Sequence, residues 1–166
     1  MANSSFTRIL IATPFIAVLA ACGGEATTGD GDGTAAGDAP PAITERQENF
    51  KKIGDAFKAI REELEGETPD LAFIKTQAED IGARAETAKG LFPEGTSIDD
   101  GYDTEALATI WEKPEEFGQK AQALVDATAE MARLAEAGDA AGVAAAVGTV
   151  GKSCKGCHDN FRVKKD

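Results

Sequence analysis

Residues 139–162 read DAAGVAAAVGTVGKSCKGCHDNFR. Asp139 is a preferred residue type for the N-terminal cap of a helix. A single line of side chains follows it at intervals of three and four residues. Its members are Val143, Val147, Val150, Cys154, His158 and Phe161. This spacing predicts one long helix with two cysteines and a histidine near its end.

The pattern Cys154-Lys155-Gly156-Cys157-His158 is the attachment signature of a c-type haem. On a helix the two cysteines lie on one face, so both can reach the edge of one flat macrocycle as thioethers. His158 lies four residues after Cys154, so its imidazole can point from the same face at the iron. The motif predicts one haem c, bound covalently through Cys154 and Cys157, with His158 as the iron ligand.

Three other interpretations of the motif are weaker. A thioredoxin-like redox pair needs a βαβ context, and no strand pattern surrounds these residues. A zinc site needs four ligands, whereas the only other cysteine is Cys22 and the chain has a single histidine. A structural disulfide between Cys154 and Cys157 remains open, but it does not account for His158.

Two amphipathic helices are predicted between Ile43 and Leu91. The helical pattern of the first runs from Ile43; either Thr44 or the Pro40-Pro41 break can start the helix, and Gly66 and Pro69 end it. Its main line is Ile43, Gln47, Phe50, Gly54, Phe57, Arg61 and Leu64, with Ile53 and Ile60 beside it. The second begins at Pro69, with Asp70 in its first turn. Its line is Leu71, Ile74, Ala78, Ile81, Ala85, Ala88 and Leu91–Phe92. The alanines indicate close approach of a neighbouring helix or of a flat ligand.

A loop rich in glycine and aspartate follows, up to Asp103. Thr104 is predicted to cap a short helix, and Pro114 to begin a third long helix that Gly138 ends. That helix carries Phe117, Ala121, Leu124, Thr128, Met131 and Leu134–Ala135 on one line. Long amphipathic helices with short connections predict an all-α fold, an antiparallel up-down four-helix bundle with covalent haem near the C-terminus.

The N-terminus has the features of an export signal. Arg8 precedes the apolar run Ile9–Ala21, which is too short to span a bilayer as a mature helix. The run ends in Leu-Ala-Ala before Cys22, which resembles the lipobox of bacterial lipoproteins, where the cysteine is lipidated and becomes the first mature residue. Residues 1–21 are therefore predicted to be a lipoprotein-type signal peptide, and an ordinary cleavable signal is the alternative.

Residues 22–42 are predicted to be a disordered tether, because they contain no aliphatic side chain larger than alanine. Residues 43–166 then form the folded domain. The net charge of −12 argues against nucleic acid as a partner and favours a soluble surface. Together these features predict a periplasmic protein anchored to a membrane by a lipid on Cys22.

Few side chains could serve as a second iron ligand. His158 is the only histidine. Met1 is lost with the signal peptide, so Met131 is the only methionine of the mature chain. Met131 lies on the core line of its helix, where it is either a ligand or packing, and packing is favoured because methionine commonly fills gaps in cores. This leaves a haem with one protein ligand and an open, apolar face.

Residues 43–166 resemble cytochrome c prime, the class II c-type cytochromes, here in a lipoprotein-like form. The resemblance rests on five motifs. They are Arg46-Gln47…Phe50, Phe92-Pro93…Gly95-Thr96, Thr104-Glu105-Ala106…Ile110-Trp111, Ala137-Gly138-Asp139 and Cys154-Lys155-Gly156-Cys157-His158…Phe161-Arg162. Haem attachment near the C-terminus of a helical bundle is specific to such proteins, since ordinary small cytochromes c carry the motif near the N-terminus.

The resemblance implies roles for individual residues. Arg46 and Gln47 would contact the haem propionates, although a solvated surface charge is the simpler interpretation of Arg46 from the residues alone. Thr104 and Glu105 would line the haem edge.

The resemblance also implies how the two faces of the haem are treated. Phe50 would cap the open face and disfavour bulky ligands. Arg162 would stand near His158, where it could hydrogen-bond a ligand entering behind the haem; a solvated surface charge is again the alternative.

The predicted function is a five-coordinate, high-spin cytochrome that transfers electrons and binds nitric oxide at its open face. The alternative is a nitric oxide-binding, detoxifying or gas-sensing protein. An acidic redox partner could dock on the lysines around the haem helix, although cations at a helix C-terminus also have a local explanation. These are Lys152, Lys155, Lys164 and Lys165. An enzyme is not expected, because no distal acid or base is visible. A homodimer through the first two helices would fit the resemblance.

Overall fold

The computed structural model describes residues 39–164 and consists of helices joined by short turns, apart from a long connection over residues 89–108. The helices are α1 (Pro41–Glu63), α2 (Leu71–Ala88), α3 (Thr109–Glu112), α4 (Pro114–Glu136) and α5 (Ala140–Phe161), with a 3-10 turn at Ile98–Asp100. The predicted signal peptide, Cys22, most of the predicted tether and Lys165 lie outside the described residues. Within residues 39–164, no helix has the length and apolarity needed to cross a membrane.

The four long helices form the predicted bundle. α1 packs against α2, α2 against α4, and α4 against α5. Turns of a few residues join α1 to α2 and α4 to α5, so these neighbours run antiparallel. The described part contains no strand, and a single isolated bridge pairs Ala106 with Arg162. The predicted all-α four-helix fold is confirmed.

The helix ends follow capping rules, with one correction to the predicted ends. Asp70 is the N-cap of α2 and not a residue of its first turn, since its carboxylate accepts from the amides of Ala72 and Phe73 at 2.9 and 3.0 Å. α1 begins at Pro41, so of the two predicted starts the Pro40-Pro41 break is the one observed, because proline tolerates the first helical position. Asp139 caps α5 as predicted, accepting from the amide of Gly142 at 2.8 Å.

The prediction that Thr104 caps the short helix is wrong. α3 begins at Thr109 instead, and Ala108 occupies its cap position. The Thr104 hydroxyl accepts from the amide of Ala106 at 3.3 Å and from the side chain of Arg46 at 2.7 Å. A long-range partner has therefore displaced the local cap that the sequence suggested.

One half of the bundle is a solid core. Its largest fully buried side chains are Ile60, Ile74, Ile81, Met131, Val143, Val150 and Thr128. Met131 is 0% exposed within this core, as the packing interpretation predicts. α2 and α4 approach closely there, since a Cβ on Gly82 would lie 3.0 Å from the Thr128 hydroxyl.

The core-facing line of α1 differs from the predicted main line. The residues that enter the core are Ile43, Ile53, Ala56 and Ile60, whereas Gln47, Gly54 and Arg61 are exposed. Phe50 is half-buried and lines a cavity together with Gln47 and Gly54. α1 therefore turns two adjacent lines inward, one towards the core and one towards the cavity.

Candidate functional site

A cavity of about 590 Å³ lies at one end of the bundle. The antiparallel arrangement brings the N-terminal halves of α1 and α4 to the same end as the C-terminal halves of α2 and α5. The loop residues 103–106 complete the wall. This volume is in the range of pockets that hold small molecules and cofactors.

All nine residues predicted to form the site line this cavity. They are Arg46, Gln47, Phe50, Thr104, Glu105, Cys154, Cys157, His158 and Arg162. Of the predicted alanine line of α2, Ala78 and Ala85 pack in the core, and Ala85 and Ala88 line the cavity; close approach of a flat ligand there stays a prediction. The nine residues come from α1, one loop and the end of α5, and other residues of α2 and α4 complete the lining, so the cavity is built by tertiary packing.

Cys154, Cys157 and His158 form the α5 side of the cavity. Both cysteines are free thiols, so the disulfide alternative does not hold in this structure. Burial raises the pKa of Cys154, and it raises the pKa of Cys157 to about 11, with the Cys154 charge adding to the effect and Lys120 opposing it. The two thiols are therefore protonated at neutral pH.

His158 is held in the neutral form that can ligate a metal. Desolvation lowers its pKa first, and the nearby Arg162 charge lowers it further, against the opposing charges of Glu105 and Asp159. Within residues 39–164 no group of three or more histidine, cysteine, aspartate or glutamate side chains could hold a metal ion, which weakens the zinc alternative.

Arg46 is a buried cation, 2% exposed, and not the solvated surface charge that was the simpler expectation. Its guanidinium donates to the Thr96 hydroxyl at 2.8 Å, to the Thr96 carbonyl at 2.5 Å and to the Thr104 hydroxyl at 2.7 Å. It also lies over the Phe92 ring, 5.0 Å from the centroid. Burial lowers the pKa of this guanidinium, which nevertheless stays charged at neutral pH.

Gln47 adds a fourth tie between α1 and the loop. Its side-chain amide donates to the Asp103 carbonyl at 2.9 Å. We call Arg46, Gln47, Thr96 and Thr104 the loop clamp, because their hydrogen bonds fasten the start of α1 to residues 96–104. Contact of Arg46 and Gln47 with haem propionates stays a prediction.

The strip around Ala106 is fastened to the end of α5. The Leu107 amide donates to the Phe161 carbonyl at 3.1 Å, and the Val163 amide donates to the Glu105 carbonyl at 2.9 Å. Across this pairing, Arg162 donates to the Glu105 carboxylate in an ion pair. Both side chains are a little over one third exposed. Arg162 is therefore engaged by Glu105 beside the cavity, and its predicted role behind the haem stays a prediction.

Aromatic rings make up another part of the wall. The Phe50 and Phe92 centroids are 6.3 Å apart, those of Phe92 and Phe117 4.9 Å, and those of Phe117 and Phe161 5.4 Å, all edge to face. The Trp111 indole extends this cluster from Phe92 and donates to the Phe92 carbonyl at 3.0 Å. The rings form an apolar surface suited to a flat aromatic ligand.

Lys120 is a cavity-lining residue that the sequence analysis missed. Its ammonium lies 3.9 Å from the position that a Cβ on Gly156 would take, between the two motif cysteines along the chain. Lys120 lies three residues after Phe117 on α4, so helical periodicity would have placed it on the same face as Phe117. A lysine on an otherwise apolar line is easily taken for a surface residue whose stem covers its neighbours.

Three comparisons identify the family. The family model described as Cytochrome C' matches residues 41–162. Cytochrome c' from Pararhodospirillum photometricum is 39% identical over 125 residues, covering 74% of this chain and 98% of that protein. The structure of cytochrome c prime from Shewanella frigidimarina is similar, with a TM-score of 0.67 and 35% identity over 75% of this chain and 95% of that one.

A nitric oxide complex of a mutant cytochrome c prime from Alcaligenes xylosoxidans is also similar. It has a TM-score of 0.66 and 32% identity, and the match covers 75% of this chain and 95% of that one.

The donor set fits the cofactor of these proteins. Two thiols and one neutral imidazole converge on a cavity with aromatic walls and a buried cation. The cofactor is one haem c, bound covalently through Cys154 and Cys157. With the fold, the cavity and the match over residues 41–162 in agreement, this chain belongs to the cytochrome c prime family.

Proposed function

We propose that this protein is an exported cytochrome with a five-coordinate, high-spin haem that transfers electrons and binds nitric oxide. The observation that carries the proposal is the ligand supply of the cavity wall. Among its lining residues His158 is the only histidine, and none is methionine. Met131 is fully buried in the solid core and is not among the residues that line the cavity.

The residues that would hold the cofactor have separate tasks. Cys154 and Cys157 attach it, and His158 ligates its iron. When bound, the haem supplies an iron that changes oxidation state and takes a diatomic ligand. Phe50 borders the cavity from α1, where its ring limits the size of a ligand. Arg46 offers the wall a positive charge that suits carboxylate groups.

Nitric oxide is the favoured gas for two reasons. A similar cytochrome c prime, from Alcaligenes xylosoxidans, forms a nitric oxide complex as a mutant protein. The rings of Phe50, Phe92, Phe117 and Phe161 make much of the wall apolar, which suits a small uncharged ligand.

Electron transfer is supported by the surface around the end of α5. Lys152, Lys155 and Lys164 are exposed there, on a protein of net charge −12. Lys155 is paired with Asp159 at 2.5 Å, so it contributes less free charge than the other two. An acidic redox protein is the partner that this surface fits. A homodimer through α1 and α2 stays a prediction.

Export and anchoring complete the proposal. Residues 1–21 would direct the chain to the periplasm, a lipid on Cys22 would hold it at a membrane, and residues 22–42 would tether the haem domain. Replacing Cys22 with serine tests the anchor. The variant should move from the membrane fraction to the soluble periplasmic fraction, and a wild-type protein already soluble there would contradict lipidation.

An optical spectrum of the reduced protein tests the haem assignment. We expect a high-spin ferrous spectrum that nitric oxide shifts readily and carbon monoxide shifts weakly. A low-spin spectrum of the isolated ferrous protein would show a second protein ligand and refute the open face.

A further inference from the structure

The loop clamp uses the guanidinium of Arg46 in an uncommon way. A guanidinium has five N–H donors, and it binds a carboxylate most firmly through two parallel bonds along one edge. Here Nη1 donates to Thr96 Oγ1, while Nη2 donates to the Thr96 carbonyl and to Thr104 Oγ1. The donor pairs that can bind a carboxylate side by side are Nη1 with Nη2 and Nε with Nη2. Nη2 belongs to both pairs and already donates twice, so Arg46 retains only single donors for an anion.

The position of Arg46 depends on these loop oxygens. No carboxylate in the described part of the chain bonds to it. A buried cation without a counter-charge is costly unless its donors are satisfied. Two of the three acceptors are threonine hydroxyls, which are themselves buried at 2% and 6% exposure. The Thr96 hydroxyl donates to the Pro93 carbonyl at 2.8 Å, so its lone pairs are turned towards Arg46.

We propose that Thr96 and Thr104 are positioning residues that fix the Arg46 cation in the cavity wall, where its charge raises the reduction potential of the bound haem. The oxidised iron carries one more positive charge than the reduced iron, so a nearby buried cation favours the reduced form. Arg46 acts here as a fixed charge more than as a two-pronged carboxylate ligand. The proposal rests on the assignment of the cavity to haem.

The test measures the reduction potential of the holoprotein. Thr96→Val and Thr104→Val remove one hydroxyl each, and the double variant removes both. We expect the double variant to lower the ratio of reduced to oxidised protein, at a fixed applied potential, by about threefold. Arg46→Met should lower it at least as far. Thr96→Ser and Thr104→Ser keep the hydroxyls and should keep the ratio.

Thr87→Val is the matched control, because that exposed hydroxyl bonds only within α2, to the Ala83 carbonyl at 3.0 Å. It should leave the ratio unchanged. Arginine remains charged across the accessible pH range, so the fall in the ratio of reduced to oxidised protein should be the same at about pH 6 and about pH 8. A purely structural role for the threonines would lower stability without shifting the potential.

Several results would overturn the proposal. A fall with Arg46→Met but not with the valine variants would show that the cation holds its place without the threonines. An unchanged potential in Arg46→Met would show that its charge has no effect. If the double variant does not accumulate, each single valine variant should still show a smaller fall in the ratio of reduced to oxidised protein. An unchanged ratio in both single variants would likewise overturn the proposal. The nitric oxide-bound spectrum of every variant checks the haem site separately.

Discussion

The two ends of the bundle use the same four helices in different ways. At one end, aliphatic side chains such as Ile60, Ile74 and Val143 fill the space between the helices and are fully buried. At the other end, the helices present small residues and aromatic rings around a cavity, and the buried Arg46 lies in its wall. Apolar burial stabilises the first end, whereas the second combines a smaller apolar cluster around Phe117 and Phe161 with polar ties and a space for the cofactor.

The largest effect should come from creating a cavity in the solid core. Met131→Ala removes a fully buried side chain and should lower the free energy of unfolding by about 2–5 kcal/mol. Chemical denaturation of the holoprotein measures this loss. Met131→Leu conserves volume and should cost less than about 1.5 kcal/mol.

The haem spectrum sharpens the same comparison. Because Met131 does not line the cavity, both variants should keep the wild-type spectrum. A changed ferrous spectrum in either would mean that the two ends are not separate and that Met131 reaches the iron.

A smaller effect is expected at the cavity end. Phe50→Ala removes a ring that borders the cavity and should raise the affinity for carbon monoxide about tenfold, which corresponds to about 1.4 kcal/mol. Phe57→Ala is the matched control, since Phe57 is a half-buried phenylalanine on the same helix that does not line the cavity. Equal affinities in the wild type and Phe50→Ala would remove the gating role of this ring.

The smallest effect concerns the loop beside the cavity. The Asp100 carboxylate accepts from the Ser97 hydroxyl at 2.6 Å and from the Ser97 amide at 2.8 Å, and these bonds lower the pKa of Asp100. A carboxyl with a lowered folded-state pKa contributes stability above its unfolded pKa, near 4, and loses it as the pH falls through the folded value.

Asp100→Asn should therefore destabilise the protein slightly at neutral pH, and the difference from wild type should vanish in acid. Thermal unfolding at several pH values measures it. Asp99→Asn is the control, because Asp99 makes neither of these bonds to Ser97. A difference that grows as the pH falls would contradict the assignment.

The sequence predicted the features that depend on local patterns. Helical periodicity predicted the line of α5 with its motif and the core line of α4. Capping preference predicted Asp139 at the start of α5. Each of these signals lies within a single helix. The match to residues 41–162 confirms the family that the motifs had suggested. These predictions hold because each rests on residues a few positions apart.

The remaining features depend on partners far apart in the chain. Arg46 and Thr104 are 58 residues apart, and Glu105 and Arg162 are 57 apart. No periodicity links such pairs, so the hydropathy pattern treated Arg46 as a surface residue and Thr104 as a local cap. Both lines of α1 were visible in the sequence, but not which one faces the core and which the cavity, because a cavity wall and a core wall look alike in sequence.

The loop clamp also bears on the order of assembly. Two of the helix pairs, α1 with α2 and α4 with α5, are consecutive in the chain and can pair locally, whereas α2 with α4 joins distant segments. The clamp joins residues 50 and 58 positions apart, and such distant contacts form late because closing a long loop costs chain entropy. We expect the cavity to close after the solid end has folded. Hydrogen exchange during refolding would then protect the Ile74 amide, which bonds within its own helix, before the Val163 amide, which bonds to the distant Glu105 carbonyl. Until that closure, the thiols of Cys154 and Cys157 would remain open to the incoming haem.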